Sequence, residues 1–257
     1  MLHDLPALEP HLFWLDPAAL GANVASAARA WSWLDEEERG RHALIASERQ
    51  RLEFLAAHAL LRESLSRYAA PTPGAWRFVH DEHGCPSLAP EHGCGWLRFS
   101  LAHTVGLVAV AVARDRPVGV DAEDRERRVD WAVVARRFFA PVEVASLDAL
   151  ATEALRRERF FALWTLKEAW LKARGLGLAL ALDGVVLHVD EGAGAALLGP
   201  RTELVDGRPA WEFARFSPTA RHRVAACVAR APDDGACAWV AREVRPASWS
   251  RPQPERD

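Results

Sequence analysis

Two short stretches bring together residue types that could do chemistry on a phosphate. In "VGVDAED", residues 118–124, Asp121 and Glu123 stand two apart at the end of a strand-like run. On extended backbone that spacing projects both carboxylates from one face. Such a pair begins a site for a hard cation, because magnesium takes oxygen ligands from carboxylates, water and substrate phosphates. In "FFALWTLKEAWLKARGLGL", residues 160–178, Trp164, Glu168 and Lys172 are spaced four and four and line one helical face, with Lys167 beside them. Phe160, Phe161, Leu163, Leu166, Trp170 and Leu171 leave little of that helix for solvent, and charge held against so much apolar surface needs a partner. A metal held by Asp121, Glu123 and Glu168 satisfies the glutamate, and a phosphate satisfies the lysines. Each stretch alone has an ordinary reading, an exposed acidic turn or a surface Glu–Lys pair. Together they describe one site.

The elements that must position these residues can be read from the pattern. Apolar spacing predicts a helix over 18–45, broken near 34–38, and a second over 48–69, stopped by Pro71 and Pro73. Strand-like pieces follow at "WRFVH" (76–80), "WLRFSLAH" (96–103) and "GLVAVAVAR" (106–114), and further helices are expected over 130–139 and 142–174. Gly175 is placed to end the last of these in the left-handed conformation. The stretch 96–114 resembles 211–230: each opens with Trp, passes through Phe-Ser and closes in an alternating Val/Ala run ending in Arg. Helices, strands, helices and strands in that order predict an α+β fold of two similar α/β halves related by a pseudo-two-fold, with a ligand in the cleft between them. The expected division is 1–117, 118–245 and a Pro-rich polar tail, 246–257, expected to be disordered.

Composition excludes some classes. No run of 18 apolar residues occurs and the N-terminus has no basic segment followed by an apolar one, so neither a membrane partner nor a signal peptide is expected and the chain reads as cytoplasmic. A net charge of −3 argues against wholesale nucleic-acid binding. Local basic runs at 125–128, 136–137 and 156–159 could nevertheless meet an acidic partner. Cysteines 85, 94, 227 and 237 form no C-x-x-C pair and are expected to be reduced; a duplicated "EHGC" aligns His83, Cys85, His92 and Cys94, but its spacing is not that of a common zinc knuckle.

"VGVDAED" and "WTLKEAWLKARGLGL", about forty residues apart, resemble the two signature motifs of the 4'-phosphopantetheinyl transferases, and the layout resembles the monomeric type that serves nonribosomal peptide and polyketide synthases. The resemblance implies transfer of the phosphopantetheine arm of coenzyme A to a serine of an apo acyl, peptidyl or aryl carrier protein, releasing adenosine 3',5'-bisphosphate. It puts Asp121, Glu123 and Glu168 on magnesium, with manganese as an alternative ion. It puts Lys172 at the diphosphate with Lys167 as its motif partner, and makes Glu168 or Lys172 the acceptor of the serine proton. "FSLAH" resembles the family's phosphate-contacting segment, with His103 in place and Ala102 where serine is usual.

Two departures concern the nucleotide. Where the family's "GKP" turn has a lysine at the 3'-phosphate, this chain has Cys85, and Glu53 and His58 stand where arginines are frequent on the preceding helix. Arg49, Arg51 and Arg62 are the available substitutes. Without one of them or His103, the chain is expected to discriminate poorly against 3'-dephospho-coenzyme A. Two other classes fit the residues less well. Metal-dependent nucleases place Glu-x-Lys on a strand, whereas here Lys-Glu lies on a helix. A degenerate binding module would not need the intact Asp121, Glu123, Glu168 and Lys172 set.

Overall fold

The computed structural model describes residues 3–82, 84–175, 182–189, 196–198, 210–231 and 233–250. The fold is α+β. Strand β1 (His11–Leu15) precedes helices α1 (Pro17–Gly21), α2 (Val24–Trp33), α3 (Glu36–Leu44) and α4 (Glu48–Leu65). Asp16, Asn23, Asp35 and Ser47 each open one of these helices by accepting an otherwise unpaired backbone amide. The helix expected over 18–45 is therefore three helices, restarted twice by caps.

Strands β2 (Phe78–His80) and β3 (Pro86–Leu88) form a small ribbon, and β4 (Leu97–Thr104), β5 (Leu107–Arg114) and β6 (Val118–Asp124) follow. Then come α5 (Trp131–Phe138), α6 (Pro141–Asp148) and α7 (Glu153–Arg174). The run expected over 142–174 breaks between α6 and α7, where the Thr152 hydroxyl caps the longer helix; Gly175, at φ 63°, ends it in the left-handed conformation as expected. Strands β7 (Leu187–Val189), β8 (Ala196–Leu198), β9 (Ala210–Phe216), β10 (His222–Arg230) and β11 (Val240–Glu243) complete the order.

The larger sheets run β11-β1-β5-β4 and β6-β10-β9. Both stretches of the weak repeat fold as antiparallel hairpins, β4–β5 and β9–β10. Strand β5 shows why the sheets stack. Its valines, 108, 110 and 112, enter a core under α4, while its alanines, 109, 111 and 113, meet Val118, Val120, Val224, Ala226 and Val228 of the other sheet. Small side chains on one face and valines on the other let two backbones approach closely. Since Val118, Val120 and Ala122 of β6 face this inter-sheet core, the alternate residues Gly119, Asp121 and Glu123 face α7.

Two expectations about the C-terminal end are corrected. Strand β11 pairs parallel with β1, so residues 240–243 join the sheet of the N-terminal elements rather than that of β6. Residues 246–250 form a helical turn whose Trp249 is buried 5.5 Å from Trp33, and the Ser26 hydroxyl donates to the Pro246 carbonyl at 2.6 Å. The tail expected to be disordered from 246 is thus ordered through 250 by burial of one indole; 251–257 lie outside the described residues.

Candidate active site

Helix α7 lies directly on β6. A Cβ built on Gly119 would stand 1.9 Å from the Ala169 carbonyl oxygen and 2.7 Å from the Ala173 nitrogen, so only glycine permits this approach. The contact brings the carboxylates of β6 against the polar stripe of α7. Lys172 Nζ donates to Asp121 Oδ1 at 2.7 Å. Asp121 is only 8% exposed, and its Oδ2 is buried with no partner; Glu168 Oε1 is also buried with none. Glu123, on the same strand face, accepts from Arg127 at 3.0 and 3.2 Å.

The electrostatics follow from that crowding. Burial raises the Glu123 carboxyl and the Asp121 charge raises it further; Arg127, Trp164 and Lys172 oppose them, and the result is about 7. Glu168 is raised by burial and by Asp121, with Lys172 opposing. Two carboxyls raised by burial and by the Asp121 charge, beside buried oxygens left unpaired, form a site short of positive charge. Among the described residues no three His, Cys, Asp or Glu side chains are arranged as a ready ligand cage. The fit to a cation therefore rests on the all-oxygen donors and the two orphaned oxygens.

Beside Lys172 opens a cavity of about 360 Å3, lined also by Cys85, Phe99, Ser100, Leu101, His103 and Gly175. His103 reaches solvent at one edge, but burial of its ring lowers its pKa; Lys172 and His58 push the same way, and Glu53 and Asp121 oppose. The structure thus brings Asp121, Glu123, Glu168, Lys172, His103 and Cys85 into one region. Ala102, one residue from His103, turns away into the inter-sheet core, so its lack of a hydroxyl removes nothing from the cavity wall.

Other expected residues lie elsewhere. Lys167 is wholly buried: its ammonium pairs with Glu143 at 2.8 Å and donates to the Leu182 carbonyl at 2.9 Å and to the Val185 carbonyl. It therefore does not face a phosphate, and the expectation that both lysines do is corrected. Arg62 is fully buried on Glu38 at 2.8 Å, and the Glu38 carboxylate also accepts from His58 Nδ1 at 2.8 Å; although burial acts to raise Glu38, the His58 hydrogen bond and the Arg62 charge hold it at about 2. Arg49 is paired with Glu53 at 3.3 Å, and Arg51 donates to the Ile45 carbonyl at 3.0 Å. None of these contacts leads Arg51 or Arg62 to the cavity, and neither lines it.

Among the described residues, His92, Cys85 and Cys94 do not converge as a metal site. His92 Nε2 accepts from the Arg77 amide at 2.8 Å, Cys94 is buried, and Cys85 takes part in a turn closed by Asp81; His83 lies outside the described residues. All four cysteines are free. Sequence reasoning missed Glu143 and Arg127 as partners. Glu143 is far from Lys167 along the chain and gives no signal, whereas Arg127, four residues after Glu123, stands in the sequence only as part of a basic run.

The family model described as the 4'-phosphopantetheinyl transferase superfamily matches residues 117–229. The chain is 38% identical over 165 residues to 4'-phosphopantetheinyl transferase psf-1 of Bacillus pumilus, a match covering 62% of this chain and 67% of that protein. It is 35% identical over 145 residues to 4'-phosphopantetheinyl transferase HetI of a Nostoc species, covering 56% of this chain and 60% of that one. With 4'-phosphopantetheinyl transferase Sfp of Bacillus subtilis the identity is 28% over 167 residues, covering 63% and 70%. The matched region holds both motif stretches.

Proposed function

The chain belongs to the 4'-phosphopantetheinyl transferase superfamily, and we propose that it moves the 4'-phosphopantetheine arm of coenzyme A onto a serine of an apo carrier protein of the acyl, peptidyl or aryl kind, in the cytoplasm. The observation that carries this reading is the meeting of Asp121, Lys172 and the unpaired oxygens of Asp121 and Glu168 beside a cavity of nucleotide-binding size.

Asp121, Glu123 and Glu168 would hold magnesium, or manganese, through oxygen atoms alone. Bound there, the ion would supply neutralisation of the diphosphate and of the charge developing on the leaving group. Lys172, already aimed into the site, would donate to a phosphate oxygen and hold the diphosphate in line for attack. The serine oxygen forms a bond to the phosphorus that carries the pantetheine arm, and the phosphoanhydride bond to adenosine 3',5'-bisphosphate breaks. Lys172 is already engaged as a donor to Asp121, so Glu168, with an unpaired Oε1, is the better acceptor of the serine proton.

The two-half reading, 1–117 for the nucleotide and 118–245 for the metal motifs, is supported by the matching orders β1-β5-β4 and β6-β10-β9 and by a cavity lined from both sides, apart from the β11 exchange described above. No helix among the described residues is long and apolar enough to cross a membrane. The test is chromatography of the nucleotide product. Adenosine 3',5'-bisphosphate should appear only when coenzyme A, magnesium and an apo carrier are all present. Its release without carrier would favour a phosphodiesterase instead.

A further inference from the structure

A second cavity of about 450 Å3 joins the first, since Cys85, Pro86, Phe99, Lys172 and Gly175 line both. Its remaining walls include Arg98, Asp115 and Arg174, so its charged side chains are Arg98, Lys172 and Arg174 against one carboxylate. Lys172 is engaged by Asp121, and Arg174 lies over the Trp170 ring at 4.9 Å. Arg98 differs. It is exposed on β4, and no hydrogen bond or ion pair with a described residue engages its guanidinium. Ser100, on the same strand face, receives the Val120 amide at 3.1 Å, and the residue across from Arg98 is Ala113, which leaves the guanidinium room to turn.

We propose that Arg98 binds a phosphate of the donor distinct from the one at Lys172, its 3'-phosphate, and is the residue by which this chain tells coenzyme A from its 3'-dephospho form. The inference rests on the function proposed above. Coenzyme A carries a diphosphate and a separate phosphate monoester on the ribose. Two phosphate groups on one nucleotide call for two cations on one continuous cavity, and Lys172 of α7 and Arg98 of β4 supply them from different elements. A guanidinium offers a planar fork of donors matched to phosphate oxygens. Cys85, which lines the same cavity, adds no cation, because burial and the nearby Asp81 raise its thiol and keep it neutral. The cation that the sequence lacks at Cys85 is thus supplied from β4, and the expected poor discrimination against the dephospho donor gives way to discrimination through Arg98.

Calorimetric binding of coenzyme A and of 3'-dephospho-coenzyme A to the full chain with magnesium tests this directly. Arg98→Met should weaken coenzyme A about ten- to a hundredfold, the loss of a charge-assisted contact, while changing the dephospho form by less than about threefold. Arg98→Lys should fall between. Equal weakening of both donors, or of neither, would overturn the proposal. Should circular dichroism show that Arg98→Met is misfolded, Arg98→Lys carries the test with the same selective loss expected. If the wild-type chain binds neither donor, the proposed function itself fails, a result distinct from binding both without selectivity.

Discussion

The Ala169 carbonyl oxygen occupies the space into which any side chain on Gly119 would project, 1.9 Å from an ideal Cβ. This contact sets the depth at which α7 sits on β6 and hence the meeting of Lys172 with Asp121 two residues further along the strand. Gly119→Ala should force the two backbones apart. A stability loss of about 3 kcal/mol or more is expected, at the upper end for overpacking, read as a lower urea midpoint, together with loss of turnover. Wild-type stability would show that the helix is not held by this approach.

The carboxylates should behave as functional rather than structural groups. Asp121→Ala, Glu123→Ala and Glu168→Ala should each lower carrier modification by orders of magnitude while circular dichroism remains native, because removing them relieves repulsion as well as a ligand. Near-normal turnover in Asp121→Ala would contradict the assignment.

Lys167 and Lys172 should separate cleanly. Lys167→Met leaves Glu143 buried without its cation and should cost roughly 3 to 5 kcal/mol of stability, with little change in KM for coenzyme A in the folded fraction. Lys172→Met, at a half-exposed position, should leave the unfolding midpoint within about 1 kcal/mol and abolish turnover. The reverse pattern would mean that the two roles have been exchanged.

This pair also shows what the sequence could and could not reveal. The period of two at Asp121 and Glu123, the spacing of four between Glu168 and Lys172, and the glycine stop at 175 are local properties, and each is realised in the structure. Adjacent helical residues diverge by about 100°, so Lys167 could not share the face of Glu168, yet its partner Glu143 could be found only from tertiary packing. Strand β1 was invisible for a similar reason: "HLFWL" is a short apolar run without alternation, and its partners β5 and β11 lie far along the chain. Arg98 was overlooked because one arginine on a strand carries no pattern until a cavity surrounds it.

Stability should depend on pH in a particular direction. A carboxyl held at about 7 in the folded chain, against an ordinary value of 4.5, keeps its proton where the unfolded chain has lost it. Without divalent cations, Glu123 should therefore make the fold less stable as pH rises from about 4.5 to 7, by on the order of 2 to 3 kcal/mol, and Glu168 acts in the same sense. His103, lowered in the folded state, acts oppositely near neutrality, so the comparison is with Glu123→Gln. Thermal melts at pH 5 and 7.5 should show a shallower loss in the variant. Identical pH dependence would remove Glu123 as its source.

Carrier recognition should respond to salt. Arg128, Arg136 and Arg137 are exposed, whereas Arg125 pairs with Glu158 at 3.6 Å and Arg157 donates to backbone carbonyls, so the exposed steering charge lies on α5 and just before it. The KM for an acidic carrier should rise with salt more than that for a neutral serine peptide, and Arg136→Glu with Arg137→Glu should raise it several-fold at constant kcat. Equal salt dependence for the two substrates would exclude steering.

The central claim, that the β6 carboxylates and the α7 Glu168 and Lys172 form one transfer site, is tested most directly by intact-mass spectrometry of an apo carrier protein incubated with the purified chain, coenzyme A and magnesium. The account predicts a gain of one phosphopantetheine moiety on the carrier serine with the wild-type chain, and none with Asp121→Ala or Glu168→Ala. An unmodified carrier with the wild-type chain, or full modification by either variant, would contradict it.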